Sequence, residues 1–265
     1  MENDEAVVIR SIDFSESSLI VTLFTKRFGK IEAIAKGGRR LKSSFESALD
    51  ILTQINVTFI QKKNDALNIL TESQSIRRFH VLKNNLHNLH AAYYIAELVN
   101  LFTERNIPNT NLYNLITEKL STLAKPLPTN FVNYHVAQFN FQLLHENGTQ
   151  PTLDTCAECG NKIENINQNQ SIHFKQNAGG IICNACTEKT IKLKQNLTII
   201  KPETLNLLKH FKNELNNKIK KQNNTNNINN LTTNSTINET LKLLNNYINY
   251  QLNSQPKTQK YLNLQ

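Results

Sequence analysis

The four cysteines of this 265-residue chain constrain its fold more than any other feature, because they fall into two C-x-x-C pairs. The pairs are Cys156 with Cys159 and Cys183 with Cys186, and 23 residues lie between them. A tetrahedral Zn²⁺ ion takes four thiolates at about 2.3 Å, and each C-x-x-C turn offers two of them. The sequence therefore predicts that the two turns meet at one zinc ion per chain. Four protein ligands leave no position for water, so the predicted zinc is structural.

The cysteine pattern also allows other uses. Disulfides need an oxidising compartment, whereas the first residues, MENDEAVVIR, are acidic where a signal peptide would be basic. We therefore expect no export segment and reduced thiols. Redox activity would favour a C-x-x-C pair that opens a helix after a buried strand, and the sequence indicates this for neither pair. His173 lies between the pairs as a fifth candidate ligand, which four cysteines make unnecessary.

The most densely basic stretch runs from Lys26 to Lys42 and contains one acid, Glu32. Gly29 stands where a β-hairpin would turn, and the residues after it alternate as in a half-buried strand. The pair Gly37-Gly38 allows φ > 0 or a close approach of a ligand to the backbone. The basic residues of this stretch are Lys26, Arg27, Lys30, Lys36, Arg39, Arg40 and Lys42.

A nucleic-acid backbone is the partner that this stretch predicts, because guanidinium groups match phosphate oxygens in a planar fork. The net charge of +9 and a pI near 9.3 also favour a polyanion. The alternative is a charged hairpin of a small barrel that only faces solvent. The predicted phosphate contacts are Lys36, Arg39 and Arg40, extended by Lys26, Arg27 and Lys42.

Five short strands are predicted between residues 6 and 80, with turns at residues 13–18, 28–29 and 64–65. This pattern is typical of a small antiparallel barrel. Aromatic side chains in such a barrel can stack on bases or pack in the core. The candidates are Phe14, Phe24, Phe28 and Phe45, with core packing favoured for Phe24 and Phe45.

From Val81 onward the apolar residues take helical spacing. Three helices in series, ending near Gly148, predict an antiparallel bundle. A further helix begins at Pro202, and Thr236 with Glu239 has the spacing of a capping box for a last helix. His87 and His90 could share a metal, but no third ligand accompanies them. The asparagine-rich segment 213–238 is of low complexity, and the sequence does not predict structure for all of it. We expect the tail beyond Ser254 to be loose.

The stretch FTKRFGKIEAIAKGGRRLKSSFESAL resembles the N-terminal signature of the RecO family of bacterial recombination mediators. The matching positions are Phe24, Thr25, Gly29, Ala35, Lys36, Gly37, Arg39, Arg40 and Ser43. The resemblance covers the first eighty residues and implies that the predicted barrel is an OB-fold. The chain length and the four cysteines are in keeping with it.

These observations predict an α+β protein with a five-stranded OB-fold barrel at the N-terminus. An α-helical domain follows, interrupted by a four-cysteine, zinc-ribbon-like module with a hairpin that turns near Gly179. The expected boundaries are 1–80 for the nucleic-acid-binding barrel, 81–150 and 190–265 for the helical domain, and 151–189 for the module.

The resemblance to RecO implies a DNA repair and recombination mediator that binds single- and double-stranded DNA and anneals complementary strands. It also implies joint action with RecR to load RecA on DNA coated by single-strand binding protein, whose C-terminal tail would bind the helical domain. We expect a cytoplasmic, nucleoid-associated protein that contacts no membrane, since no apolar run reaches membrane length.

Two other classes of function stay open from the residues alone. One is an OB-fold plus zinc-ribbon factor that binds RNA in transcription or translation. The other is a nucleic-acid-modifying enzyme, but the motifs of ATPases, metalloproteases and serine hydrolases are missing from the sequence, and its five aspartates form no pair at metal-site spacing. We therefore expect a protein that is not an enzyme.

Overall fold

The computed structural model describes residues 1–40, 45, 48–62, 66–79, 82, 85–163, 171–219 and 233–262. Lys42, the turn predicted at 64–65 and residues 220–232 of the asparagine-rich segment lie outside these ranges. The described residues form two compact units. The first contains Met1–Thr129 together with Pro256–Leu262, and the second contains Asn130–Gln255.

The first unit is built on a closed barrel of five strands in the order β1-β2-β3-β5-β4. The strands are β1 (Glu2–Asp13), β2 (Leu19–Thr25), β3 (Gly29–Ala35), β4 (Thr53–Ile60) and β5 (Asn68–Arg78). Neighbouring strands are antiparallel except β3 and β5, which are parallel. The barrel confirms the predicted OB-type fold, and closure leaves the sheet without free edges.

Alternation of side chains explains why these segments form strands. Along β3, every second residue is buried, and Ile31, Ala33 and Ala35 point into the barrel core. Strand β4 alternates in the same way. Phe24 and Phe45 are buried, as predicted, although Phe45 lies in the connection between β3 and β4 rather than on a strand.

Helices α1 (Leu86–Phe102) and α2 (Thr110–Leu123) follow the barrel in the first unit. The helical period at Val81 suggested an earlier start for α1, but Asn85 caps the helix by accepting hydrogen bonds from the N–H groups of His87 and Asn88. Asn109 caps α2 in the same way. The start of each helix is therefore set by its polar N-cap residue and not by the spacing of the apolar residues.

The C-terminal tail is not loose, contrary to the expectation from sequence. Residues Pro256–Leu262 belong to the first unit and include a short 3-10 helix, Gln259–Tyr261. The carboxylate of Glu97 on α1 accepts hydrogen bonds from the backbone N–H groups of Lys257 and Thr258, both at 2.8 Å. This distant anchor could not be read from the tail itself.

The second unit combines helices with a small sheet. Its helices are α3 (Thr129–Glu146, from Asn130 onward), α4 (Asn184–Lys192), α5 (Pro202–Ile219) and α6 (Asn234–Leu252). Its strands are β6 (Ile172–Lys175), β7 (Gly180–Ile182) and β8 (Thr198–Ile200), in the order β7-β6-β8. The predicted hairpin is formed by β6 and β7, and Gly179 in its turn has a φ of 74°.

The three consecutive helices predicted as a bundle do not form one unit. Helices α1 and α2 belong to the first unit, whereas α3 packs with α5 and α6 in the second. The rings of Tyr134 on α3 and Phe211 on α5 lie 5.4 Å apart, and Asn140 donates to Asn245 on α6 at 2.9 Å. The segments predicted as a single helical domain are thus divided between the units.

The capping box predicted for the last helix is wrong. Helix α6 begins one turn earlier, and the side chain of Thr233 accepts a hydrogen bond from the N–H of Thr236. Glu239 instead accepts a hydrogen bond from the N–H of Lys201, just before α5. Within the described ranges, no helix is both long and apolar enough to cross a membrane.

Candidate metal centre and nucleic-acid interface

The structure brings the four cysteine sulfurs together, all within 4.8 Å of one another. Cys156 opens a tight turn in which Gly160 takes a φ of 76° and donates its N–H to the Cys156 carbonyl. Cys183 follows β7 and precedes the first turn of α4, which contains Cys186. The two turns therefore meet as the spacing predicts, each supplying two sulfurs.

The expectation that neither cysteine pair opens a helix after a buried strand is wrong for the second pair. The pair Cys183 and Cys186 does open a helix after a buried strand, since β7 is buried and Cys183 is the N-cap of α4. The convergence of all four sulfurs is what favours a metal site over a redox pair, because a redox pair needs two thiols and gains nothing from two more. All four cysteines are free thiols in the structure.

The electrostatics of the cluster favour a bound cation. Burial opposes ionisation of Cys156, but N–H groups of Cys183, Cys159 and Glu158 donate towards its sulfur and lower its pKa to about 6. The N–H of Cys183 lies 3.3 Å from that sulfur. Burial and the neighbouring thiols raise the pKa of Cys186. A set of four sulfurs with backbone donors fits a tetrahedral, thiophilic ion.

A buried lysine beside the cysteine cluster connects the two chain segments that carry the cysteines. Lys175 on β6 is 6% exposed and forms an ion pair with Glu158, which stands between the first two cysteines. Its ammonium group also lies 3.5 Å from the hydroxyl of Thr190 on α4. Lys175 thereby links the first cysteine turn to the helix that carries the second. Sequence reasoning missed it, because its partners are distant in the chain.

The histidines named as candidate ligands are not part of a metal cluster among the described residues. Among the described residues, the four cysteines are the one group of three or more potential ligands close enough to share an ion. His173 is not part of it. His90 places its ring 5.0 Å from that of Tyr261 in the first unit, which is a packing contact.

Acidic neighbours pair with two of the predicted phosphate contacts, Lys26 and Arg27. The ammonium of Lys26 lies 3.7 Å from the carboxylate of Glu5. Arg27 donates its backbone N–H to Asp4 at 2.7 Å and its Nε at 3.2 Å. Asp4 is 5% exposed, so Arg27 is held in place as part of the barrel. The basic stretch is therefore less uniform than its sequence indicates.

Lys36, Arg39 and Arg40 lie just beyond β3, and all three are exposed. Arg39 approaches Asp13 at 3.3 Å and donates to the carbonyl of Ser15 at 3.1 Å. Among the described residues, Lys36 and Arg40 have no acidic partner within salt-bridge distance. Among the described members of the predicted set, these two side chains keep the most available positive charge.

An open cleft of about 440 Å³ lies between the β1–β2 loop and the end of β3. Lys36 and Arg40 line one part of it, and Phe14 lines another with 59% of its surface exposed. The loops are joined by a hydrogen bond from the N–H of Arg39 to the carbonyl of Ser17. The cleft thus combines exposed cations with an exposed ring. Phe28, by contrast, packs edge-on against Phe59 at 5.4 Å.

Comparison with known families covers nearly the whole chain. Residues 1–79 match the family model described as "Recombination protein O N terminal", and residues 83–260 match "Recombination protein O C terminal". The chain belongs to the RecO family. This confirms the resemblance seen in the basic stretch and extends it through the cysteine cluster to the last helix.

Curated relatives of this RecO-family chain carry the name "DNA repair protein RecO". The one from Rhodopirellula baltica is 40% identical over 181 residues, which are 68% of this chain and 65% of the relative. Those from Listeria monocytogenes and Caldanaerobacter subterraneus are 30% and 31% identical, over 71% and 69% of this chain and 70% of each relative. The match thus spans slightly less than two thirds of the first relative's length.

Proposed function

We propose that this RecO-family chain is a DNA repair and recombination mediator that binds DNA through the barrel and anneals complementary strands. The observation that carries the proposal is the cleft in which the exposed cations Lys36 and Arg40 stand beside Phe14. The name shared by its relatives, "DNA repair protein RecO", supports DNA repair as the process. A cytoplasmic, nucleoid-associated location follows from that role.

Binding in this cleft should be independent of base sequence. Lysine and arginine contacts to phosphate position a strand without reading its bases, and the same contacts serve two complementary strands equally. Neutralising phosphates lowers the repulsion between strands, which favours annealing. Such a protein promotes pairing by binding alone, so we propose that it is not an enzyme and needs no nucleotide.

The partners that we propose are RecR, RecA and the C-terminal tail of single-strand binding protein. The chain would act with RecR to load RecA on DNA that single-strand binding protein covers. Family membership supports these partners.

The cofactor that we propose is one structural Zn²⁺ per chain, held by Cys156, Cys159, Cys183 and Cys186. The four-sulfur donor set and the backbone N–H groups aimed at Cys156 support this choice. Bound zinc would crosslink the two cysteine turns. With four protein ligands it would offer no position for a substrate.

An annealing assay tests the proposed function. Two complementary DNA oligonucleotides would be mixed with the protein, bare or coated with single-strand binding protein, and with or without ATP. We expect faster duplex formation in every case, with the same rate in the presence and absence of ATP. No acceleration on bare strands, or acceleration only with ATP, would contradict the proposal. RNA oligonucleotides of the same sequence test whether DNA is preferred.

A further inference from the structure

Five isoleucines, one from each barrel strand, form a row across the outer face of the barrel. The strand register pairs Ile12 with Ile20 and Ile20 with Ile34. It continues from Ile34 to Ile69 and from Ile69 to Ile60. Side chains of register partners lie on the same face of a sheet and contact each other. We call Ile12, Ile20, Ile34, Ile60 and Ile69 the isoleucine belt.

The belt points away from the barrel core. The residues beside it along the strands, such as Val21, Ala33 and Phe59, are fully buried and belong to the core cluster. Because side chains alternate along a strand, their isoleucine neighbours face outward. Ile12 is 40% exposed and Ile60 is 39% exposed, while the other three are half-buried. The core cluster does not include them, so the belt is an apolar row that the described residues leave partly exposed.

The belt reaches the cationic cleft at Ile34. This side chain lines the cleft together with Phe14, Lys36 and Arg40. Apolar and cationic side chains thus lie next to each other on one surface. The cleft volume of about 440 Å³ falls in the range of ligand-sized sites.

We propose that the belt contacts the faces of unpaired nucleobases while Lys36 and Arg40 hold the adjacent phosphates. The site then takes single-stranded nucleic acid in preference to duplex. A single strand offers both apolar base faces and phosphates, whereas in a duplex the base faces are stacked on each other. The cations beside the belt complement a polyanion, and a purely apolar partner would leave them without counter-charge. The inference rests on the proposed function and adds a second kind of contact to it.

The two kinds of contact have different signatures. Phosphate contacts release counterions, so their loss changes the slope of log K against log salt. Contacts between isoleucine and a base are apolar and leave that slope unchanged. They also act on every base, because each base has an apolar face. The belt should therefore raise affinity for single strands at any salt concentration and without base preference.

A double variant, Ile20→Thr with Ile34→Thr, tests the belt in the full chain. Threonine is β-branched and keeps the strand preference of isoleucine while replacing apolar surface by a hydroxyl. Ile76→Thr is the matched control, since Ile76 lies on β5 outside the belt and is 45% exposed. The probes are a labelled DNA single strand, the same sequence as a blunt duplex, and an abasic oligomer with the same number of phosphates.

We expect the double variant to lose about tenfold in affinity for the single strand, with an unchanged salt slope. Its affinities for the duplex and the abasic oligomer should stay within twofold of the unmodified protein, and the control should match that protein on all three probes. Equal losses on all probes, or no loss on the single strand, would overturn the inference; the second result would point to a protein as the occupant of the belt. If the unmodified protein binds none of the probes, the proposed function itself fails.

Discussion

Arg39 and Arg40 are adjacent in sequence but differ in how much charge they can offer to a phosphate. The Arg39 guanidinium is shared between Asp13 and the Ser15 carbonyl, whereas the described residues give Arg40 no acidic partner within salt-bridge distance. An exposed ion pair is worth about 0–1 kcal/mol, so Arg39 can leave Asp13 for a phosphate at a small cost. By the charge that each can offer to a phosphate, Arg40 therefore ranks above Arg39. This order could not be predicted from the sequence.

We predict that Arg40→Ala weakens binding to single-stranded DNA and flattens the slope of log K against log salt by about 0.7. Arg39→Ala should weaken binding less, and the double variant should flatten the slope by roughly 1.4. Asp13→Asn is the informative partner change, because it frees Arg39 and should strengthen binding. Fluorescence anisotropy over a range of salt concentrations measures all four variants. An Arg40→Ala protein with unchanged affinity and slope would mean that the cleft only faces solvent.

Gly29 was predicted as a hairpin turn, and the structure adds a second reason for glycine there. Its φ is 68°, and a Cβ atom at this position would lie 1.9 Å from the carbonyl oxygen of Ile107. Gly148 has almost the same φ, 70°, but open space around it. The approach of Ile107 could not be predicted, because it comes from a loop 78 residues further along the chain.

The pair of glycines gives a controlled stability prediction. Gly148→Ala should lower the free energy of unfolding by about 1–2 kcal/mol, the cost of a left-handed backbone for alanine. Gly29→Ala should cost about 1–3 kcal/mol more, because a backbone carbonyl must also move. Urea unfolding of both variants measures the difference. Equal losses in the free energy of unfolding would show that the loop carrying Ile107 can move away at no cost in stability.

At the scale of elements, strands were easier to predict than helix ends. Alternating burial along β3 and β4 is a local pattern that the sequence displays directly. The start of α6 depends instead on which of several threonines caps it, and Thr233 does so although Thr236 has the better motif. Helix α4 was not predicted at all, because it is short and carries few apolar residues.

The cap of α6 can be tested directly. Thr233→Ala should lower the free energy of unfolding of the second unit by about 1 kcal/mol, because the N–H of Thr236 loses its acceptor. Ser235→Ala is the control, since Ser235 is exposed in the first turn of the helix. Urea unfolding followed by circular dichroism measures both. A larger loss for Ser235→Ala would assign the cap to another residue.

The tail beyond Ser254 shows how one distant side chain can order a segment. The carboxylate of Glu97 now accepts hydrogen bonds from two backbone N–H groups. In Glu97→Gln, one carboxylate oxygen is replaced by an NH₂ group, so one of these two hydrogen bonds should be lost. Losing a charged hydrogen bond costs about 1.5–3 kcal/mol, so amides of residues 257–262 should exchange at least tenfold faster. Hydrogen exchange with mass spectrometry measures this, and Glu104→Gln is the exposed control. Unchanged exchange would mean that apolar packing of the tail suffices.

For the whole molecule, the sequence predicted individual strands and helices better than it predicted which helices pack together. The barrel strands, the cysteine cluster and the longer helices were visible as local patterns. Which helices share a core was not, because α3 carries apolar faces that suit a bundle with α1 and α2 as well as one with α5 and α6. Polar pairs at matching positions, Asn133 with Asn238 and Asn140 with Asn245, join α3 to α6. Such long-range pairing has no signature in a single sequence.

The division into two units leads to a prediction about the metal. The four cysteines lie in the second unit, and the barrel lies in the first. We expect about one zinc per chain by elemental analysis of protein prepared under reducing conditions. Removing it, or replacing a ligand by Cys159→Ser, should destabilise the cysteine turns and speed hydrogen exchange there, because two chain segments lose their crosslink. Exchange in β1–β5 should stay the same.

DNA binding supplies the second readout of that experiment. The cationic cleft is built entirely from residues of the barrel, so the Cys159→Ser protein should keep its affinity and salt slope for single-stranded DNA. Ser171→Ala, an exposed change between the cysteine pairs, is the control for handling and should retain zinc. Protein without metal under reducing conditions would refute the zinc site. Loss of DNA binding together with the metal would show that DNA binding also depends on the cysteine cluster.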